Sequence, residues 1–189
     1  MSSKPKRSML HNHEFQLKSS RQFFDYWNGL PKDGVLPDRA SFNPVRIRHL
    51  MPNIVMVEYP NLDDARFRLV GTRLTEYLDF DPTNRSYMAL LAEDAVESFR
   101  FVSSVLLDTP CGGRFTILAR AANGYVLKVE LTDLPMTNKT AGTQIILAHA
   151  PVLEVMDRHD ESGFQILDIQ PVAWIDIGAG TPEIAVPSE

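Results

Sequence analysis

Residues able to do covalent or metal chemistry are sparse and scattered in this 189-residue chain. The one cysteine, Cys111, stands in the glycine-rich turn Pro110-Cys111-Gly112-Gly113 with Arg114 as its nearby cation. A reactive thiol needs its pKa depressed by its surroundings, and this turn reads as a loop holding a small residue. His49 and His149 are far apart in the chain, and His11, His13 and His159 fall in tail-like segments. No Cys-x-x-Cys or His-x-x-x-His spacing joins any of them into a zinc site. There is no Gly-x-Ser-x-Gly nucleophile elbow and no glycine-rich phosphate loop ending in Lys-Ser or Lys-Thr. The acids sit mostly on turns and helix ends, where solvated charge accounts for them. Glu130 and Asp133 are the two strand acids. By alternation Glu130 is expected on a wet strand face, and Asp133 near a strand end. The densest basic cluster of the body, Arg46, Arg48 and His49 with Arg39 nearby, reads as a wet helix face or a dock for an acidic partner.

Composition narrows the class further. Hydrophobic residues make up 44% and charged residues 23%, the balance of a globular domain that can bury a core without staples. The longest uncharged stretch, residues 140–153, is shorter than the ~20 apolar residues of a membrane span, so no membrane insertion is expected. The basic start leads into no apolar run of the kind a secretory signal needs. With a lone cysteine, which fits a reducing compartment, a cytoplasmic protein is expected. The net charge of −5 divides into +3 over residues 1–10, −1 over 11–152 and −7 over 153–189. Nucleic acid needs a basic face, so it is not an expected partner. The chain divides into three parts: a disordered basic head (1–12), a folded body (13–152), and an acidic C-terminal extension (153–189) that is partly extended and partly disordered.

The elements that position these residues are legible from periodicity. Residues 13–30 read as a helix, with Phe23, Trp27 and Leu30 on one stripe and further aromatics off it. Asn43-Pro44 is a helix start, the Asn capping free amides and the Pro losing no bond, and the helix is expected to run to about Leu50. Residues 54–57 and 66–70 form a hairpin, succeeded by short helices and a longer one over 92–107. Residues 114–121 and 125–134 are strands joined at Asn123-Gly124, a strong hairpin signal. Residues 144–150 are apolar on both faces and belong in the sheet centre. Residues 164–177 read as an extended arm laid on a surface.

Two strands, a helical crossing and three strands is the plan of a PAS domain. The chain resembles a bacterial family of stand-alone PAS-like proteins through Phe24-Asp25-Tyr26-Trp27, Leu36-Pro37-Asp38-Arg39, Phe42-Asn43-Pro44, Leu50-Met51-Pro52 and, above all, Arg66-Phe67-Arg68-Leu69-Val70-Gly71-Thr72 with Glu76-Tyr77. The resemblance implies an α+β fold, a five-stranded antiparallel sheet with helices on one face, here with an N-terminal helix and a C-terminal extension. It also implies a sensory or signalling role through protein contacts. The pocket of such a fold would be lined by Phe67, Leu69, Tyr77, Phe99, Val102, Leu106, Phe115, Ile117, Val129 and Ile146. These residues describe either a dry core or a site for an apolar ligand whose polar handle meets the Tyr77 hydroxyl. Phe15, Phe23, Phe24 and Trp27 exceed what one inward face can hide, and suggest a homodimer through the first helix. The C-terminal arm is the competing cover.

Cofactor chemistry of related folds finds no purchase. A covalent flavin adduct needs a cysteine after an asparagine, and here Asn84 is followed by Arg85 and Ser86. Haem needs a proximal His, and none lies between Asn84 and Asp108. No cofactor and no metal are expected. The reading is a non-catalytic signalling module with an unidentified protein partner. The alternative is a small enzyme on a ketosteroid-isomerase-like cone fold, which needs Glu130 or Asp133 buried and facing a roomy cavity.

Overall fold

The computed structural model describes residues 15–158 and 161–183; the head over 1–12 lies outside them. The first helix, α1 (Lys18–Asn28), ends at Gly29 and leads to two two-residue strands, β1 (Lys32–Asp33) and β2 (Leu36–Pro37), paired around Gly34. Asn43 caps as the sequence implies, its side chain accepting from the Val45 amide at 3.0 Å. The element it caps, however, is a short 3-10 turn (Pro44–Ile47) rather than a helix reaching Leu50. Arg39, Arg46, Arg48 and His49 are all exposed.

The main sheet contains β3 (Ile54–Tyr59), β4 (Arg66–Val70), β5 (Gly112–Arg120), β6 (Tyr125–Asn138) and β7 (Thr143–His149). Between β4 and β5 lie α2 (Thr72–Leu78) and α3 (Ala95–Asp108). All ladders are antiparallel, in the order β4-β3-β7-β6-β5. The β5–β6 hairpin turns at Asn123-Gly124, where Gly124 has φ +90°, a value that glycine reaches without a Cβ penalty. β7 sits between β3 and β6, and residues 145–148 are apolar on both faces because Ile146 and Ala148 face the inner layer and Ile145 and Leu147 the outer one.

Residues 164–177, expected as an extended arm on a surface, are extended but join the sheet, and the segment after Pro151 adds two strands. It supplies β8 (Val152–Arg158), which continues the β7 edge along the first half of β6, and β9 (Gln165–Ile175), which pairs along β5. The five strands of the sequence plan are thereby extended to seven. β9 is difficult to read from pattern because its register slips twice, at Arg114/Phe115 and at Leu118/Ala119, and each slip breaks the two-residue alternation.

Two apolar layers result. The inner face of the sheet packs against α2 and α3. The outer face packs against α1, with Phe23 and Trp27 both 0% exposed. Burying each such ring contributes on the order of 2–3 kcal/mol. The Trp27 indole N–H also donates to the Pro135 carbonyl at 3.2 Å. This corrects the expectation that Phe23 and Trp27 face a second copy: the chain's own sheet covers them. Phe15 and Phe24 are half-buried with ring centroids 5.7 Å apart. Tyr26, also off the main stripe, exchanges hydrogen bonds with the backbone of Asn43.

Candidate functional site

Between the inner face and the helices α2 and α3 is a cavity of about 110 Å³. By the same measure one water needs ~10–15 Å³, so the space suits several waters or one compact organic molecule. Alternation builds its floor. Val55, Val57 and Tyr59 come from β3, Phe115 and Ile117 from β5, Val129, Leu131 and Asp133 from β6, and Ile146 from β7. The roof is Tyr77 from α2 and Phe99, Val102 and Ser103 from α3, and Ile166 and Ile169 of β9 close one side. Stacked rings brace the helix side, Phe67 on Tyr87 at 4.9 Å and Tyr87 on Phe99 at 4.7 Å.

Eight of the ten residues expected at a pocket, Phe67, Tyr77, Phe99, Val102, Phe115, Ile117, Val129 and Ile146, stand at this wall. Leu69 does not. The β3–β4 ladder pairs Val57 with Phe67 but Met56 with Leu69, a bulge that inserts Arg68. The extra residue sends Phe67 inward and Leu69 to the outer layer, where simple alternation would have kept them together. Leu106 is buried in the inner core but does not reach the wall. The bulge also aims Arg68 at Glu58, whose carboxylate accepts from Arg68 Nε at 2.6 Å, Asn138 Nδ2 at 2.9 Å and Thr143 Oγ1 at 2.6 Å. These bonds, led by that from Thr143, hold the Glu58 carboxyl below its usual range.

Sequence reasoning passed over the polar part of the wall. Asp133 is 9% exposed; among the described residues its Oδ1 has no hydrogen-bond partner and no other carboxyl lines the cavity. It lies inside β6, not at its end, because that strand runs on to Asn138. Burial pushes its pKa from 3.8 up to about 8, so the carboxyl is mostly protonated at neutral pH. Tyr59 and Ser103 are the other missed pair, their hydroxyls 3.3 Å apart. Burial raises the phenol pKa of both Tyr59 and Tyr87, and the charge of an ionised Asp133 adds to both shifts. Spacing carried the signal: Leu127, Val129, Leu131 and Asp133 share a face, as do Val55, Val57 and Tyr59.

Glu130 is likewise not on a wet face. It is 2% exposed under the start of α1, accepting from the Gln16 amide at 2.9 Å with Arg114 at 3.9 Å. The outer face here carries a buried polar row: Arg114, Thr132 and His149 are register partners across β5, β6 and β7. His149 Nδ1 is 3.2 Å from the Ser20 hydroxyl. Arg114 Nε, Glu130 Oε1, Thr132 Oγ1 and His149 Nε2 have no partner among the described residues. Burial lowers the His149 pKa from 6.5 to about 4 and raises the Cys111 thiol to about 11, which leaves the ring neutral and the thiol protonated at neutral pH.

Among the described residues, no group of three or more His, Cys, Asp or Glu is placed to hold a metal ion, and no helix is long and apolar enough to cross a membrane. No histidine or cysteine of the described chain stands at the cavity wall.

No curated protein matches the chain. A similar solved structure is described as the crystal structure of the PAS domain of an HTR-like protein from Haloarcula marismortui. It is 18% identical, with a TM-score of 0.44, covering 58% of this chain and 90% of that one. The family model described as PAS domain matches residues 15–149, most of the body that holds the cavity and both of its helices. The chain belongs to the PAS domain family.

Proposed function

We propose that this PAS domain is a sensory and signalling module that works in the cytoplasm, binds a small apolar molecule in the cavity, and passes its occupancy to a protein partner. The observation that carries the reading is the cavity itself. Space of about 110 Å³ inside an otherwise close-packed core is costly to keep empty. It lies under α2 and α3, so a ligand there touches elements whose far sides are open to a partner. The lone buried cysteine supports a reducing compartment.

Asp133 is the observation that brings the enzyme reading back, since it is a buried carboxyl facing a cavity. Base catalysis on a ketosteroid-isomerase plan needs an ionised carboxylate near the reacting carbon. Here the one carboxyl that the described residues place at the wall has its pKa pushed up to about 8, so most of it is protonated at neutral pH. Among the described residues the wall offers hydroxyl donors but no Lys, Arg or His to stabilise charge developing on a substrate, which favours binding over turnover.

Native mass spectrometry of freshly purified protein tests the proposal. A non-covalent small-molecule adduct is expected in the wild type and is lost from Ile117→Phe, which fills the cavity. Protein that carries no adduct and binds no small hydrocarbon on titration would overturn it.

A further inference from the structure

We propose that the cavity takes an uncharged, compact apolar molecule bearing one hydrogen-bond-accepting carbonyl, and that Asp133 is the residue that recognises it. The inference deepens the ligand-cavity reading above and rests on it.

It starts from an unpaired group. Buried polar atoms are almost always hydrogen-bonded, and leaving one without a partner costs about 1–3 kcal/mol. Asp133 Oδ1 is buried at the wall with no partner among the described residues. Its cross-strand neighbours cannot help, because they are Gly113 and Ala148. Gly113 matters here in its own right. A Cβ on it would lie 2.3 Å from the Phe115 ring, so the missing side chain lets that ring fold back over Gly113, the register partner of Asp133. The hydroxyls of Tyr59 and Ser103 are engaged with each other. The partner for Asp133 is therefore best supplied by whatever fills the space.

Charge decides its chemistry. No Lys, Arg or His of the described chain lines the cavity, so an anionic ligand finds no counter-ion. An ammonium ligand would require both the cation and an ionised Asp133 to lose their water, which buried pairs repay poorly. A protonated carboxyl is instead a hydrogen-bond donor. Its complement is a neutral acceptor, and the hydrocarbon of the remaining wall asks that the rest of the molecule be apolar.

Cyclohexanone, cyclohexylamine and methylcyclohexane share a ring size and differ in the head group, so they serve as probes. Their affinities are measured by ligand-observed NMR at pH 6 on the wild type, Asp133→Asn and Asp133→Leu, with circular dichroism confirming that each folds. The ratio of cyclohexanone to methylcyclohexane affinity, compared between variants so that the unequal hydration of the two probes cancels, is expected to be about tenfold higher in the wild type than in Asp133→Leu. Asp133→Asn, whose amide still donates, keeps the higher ratio. Raising the pH through 8 weakens the ketone in the wild type and leaves Asp133→Asn unchanged. Tightest binding of the amine overturns the proposal. A ketone-to-hydrocarbon ratio that is the same in Asp133→Leu as in the wild type overturns it too but leaves the cavity a ligand site. Failure of all three probes overturns both.

Discussion

Replacing Asp133 by Asn should change how stability depends on pH more than it changes stability at any one pH. In the unfolded chain this carboxyl loses its proton at the ordinary 3.8, whereas in the folded chain it holds it up to about 8. Between those limits folding takes up a proton, so stability is full below 3.8 and is lost as the pH rises through 8. The slope is about 1.4 kcal/mol per pH unit, and the full interval of roughly four units sets a ceiling of about 5–6 kcal/mol. From about pH 5.5 to pH 7.5 the wild type should therefore lose about 2–3 kcal/mol relative to Asp133→Asn, whose amide does not titrate. His149 titrates in both proteins and cancels from the difference. Urea unfolding monitored by the fluorescence of Trp27 and Trp174 measures this, with a constant denaturant slope showing that the same surface is exposed throughout. The variant should be clearly the more stable protein at pH 8 and close to the wild type at pH 4. Parallel profiles for the two would refute the reasoning, because they would mean that water reaches the carboxyl and keeps its pKa ordinary.

The packing sets four further outcomes. Gly71→Ala should cost at least ~2 kcal/mol and lower Tm, because its Cβ would lie 2.3 Å from the Pro52 carbonyl and 2.4 Å from that of Met51, both backbone. Glu58→Gln should cost about 1–3 kcal/mol in urea unfolding, since it weakens three side-chain bonds that join β3 and β4 to β6 and β7. Phe23→Leu should destabilise by about 1–2 kcal/mol yet sediment as the wild type does, because the ring is internal to one chain. His149→Leu should flatten the acid limb: the folded ring stays neutral down to about 4, so the wild type loses stability as the pH falls from 6.5 towards 4, and the variant does not.

The legible parts of the fold are those where one physical rule acts alone. Asn123-Gly124 demands a tight turn, and strands flank it as the alternation of residues 114–121 and 125–134 implies. Residues 145–148 are apolar on both sides because both sides are covered. Reading fails where two rules compete. Period-two counting puts Leu69 in the pocket because it has no means to detect the bulge at Arg68. Asp133 reads as near a strand end because Pro135 lies two residues on, and proline argues against a ladder. β6 tolerates it because the β5 ladder stops at Asp133, so beyond that point one side of β6 has no main-sheet neighbour to receive an N–H. Phe23 and Trp27 point to a second copy only while aromatic area is counted without the outer face that the sheet offers α1. The wet face read from Glu130 fails for the same reason: α1 and the segment before it lie over polar residues that composition alone would leave in solvent.

That polar row gives α1 a particular place in the energetics of the molecule. Lifting an ordinary amphipathic helix off a sheet exposes hydrocarbon and returns nothing. Lifting α1 exposes Phe23 and Trp27 but also hydrates four atoms, on Arg114, Glu130, Thr132 and His149, that lack partners among the described residues when it is docked. Each recovers on the order of 1–3 kcal/mol from water, which offsets much of the lost apolar burial. The helix is thus a separately releasable unit, opening well below the free energy needed to separate β3, β7 and β6. Amide protons along α1 will exchange with solvent through this opening while those of the central strands stay protected. A domain built this way should open first on the sheet face opposite the cavity, at a helix docked over groups that prefer water.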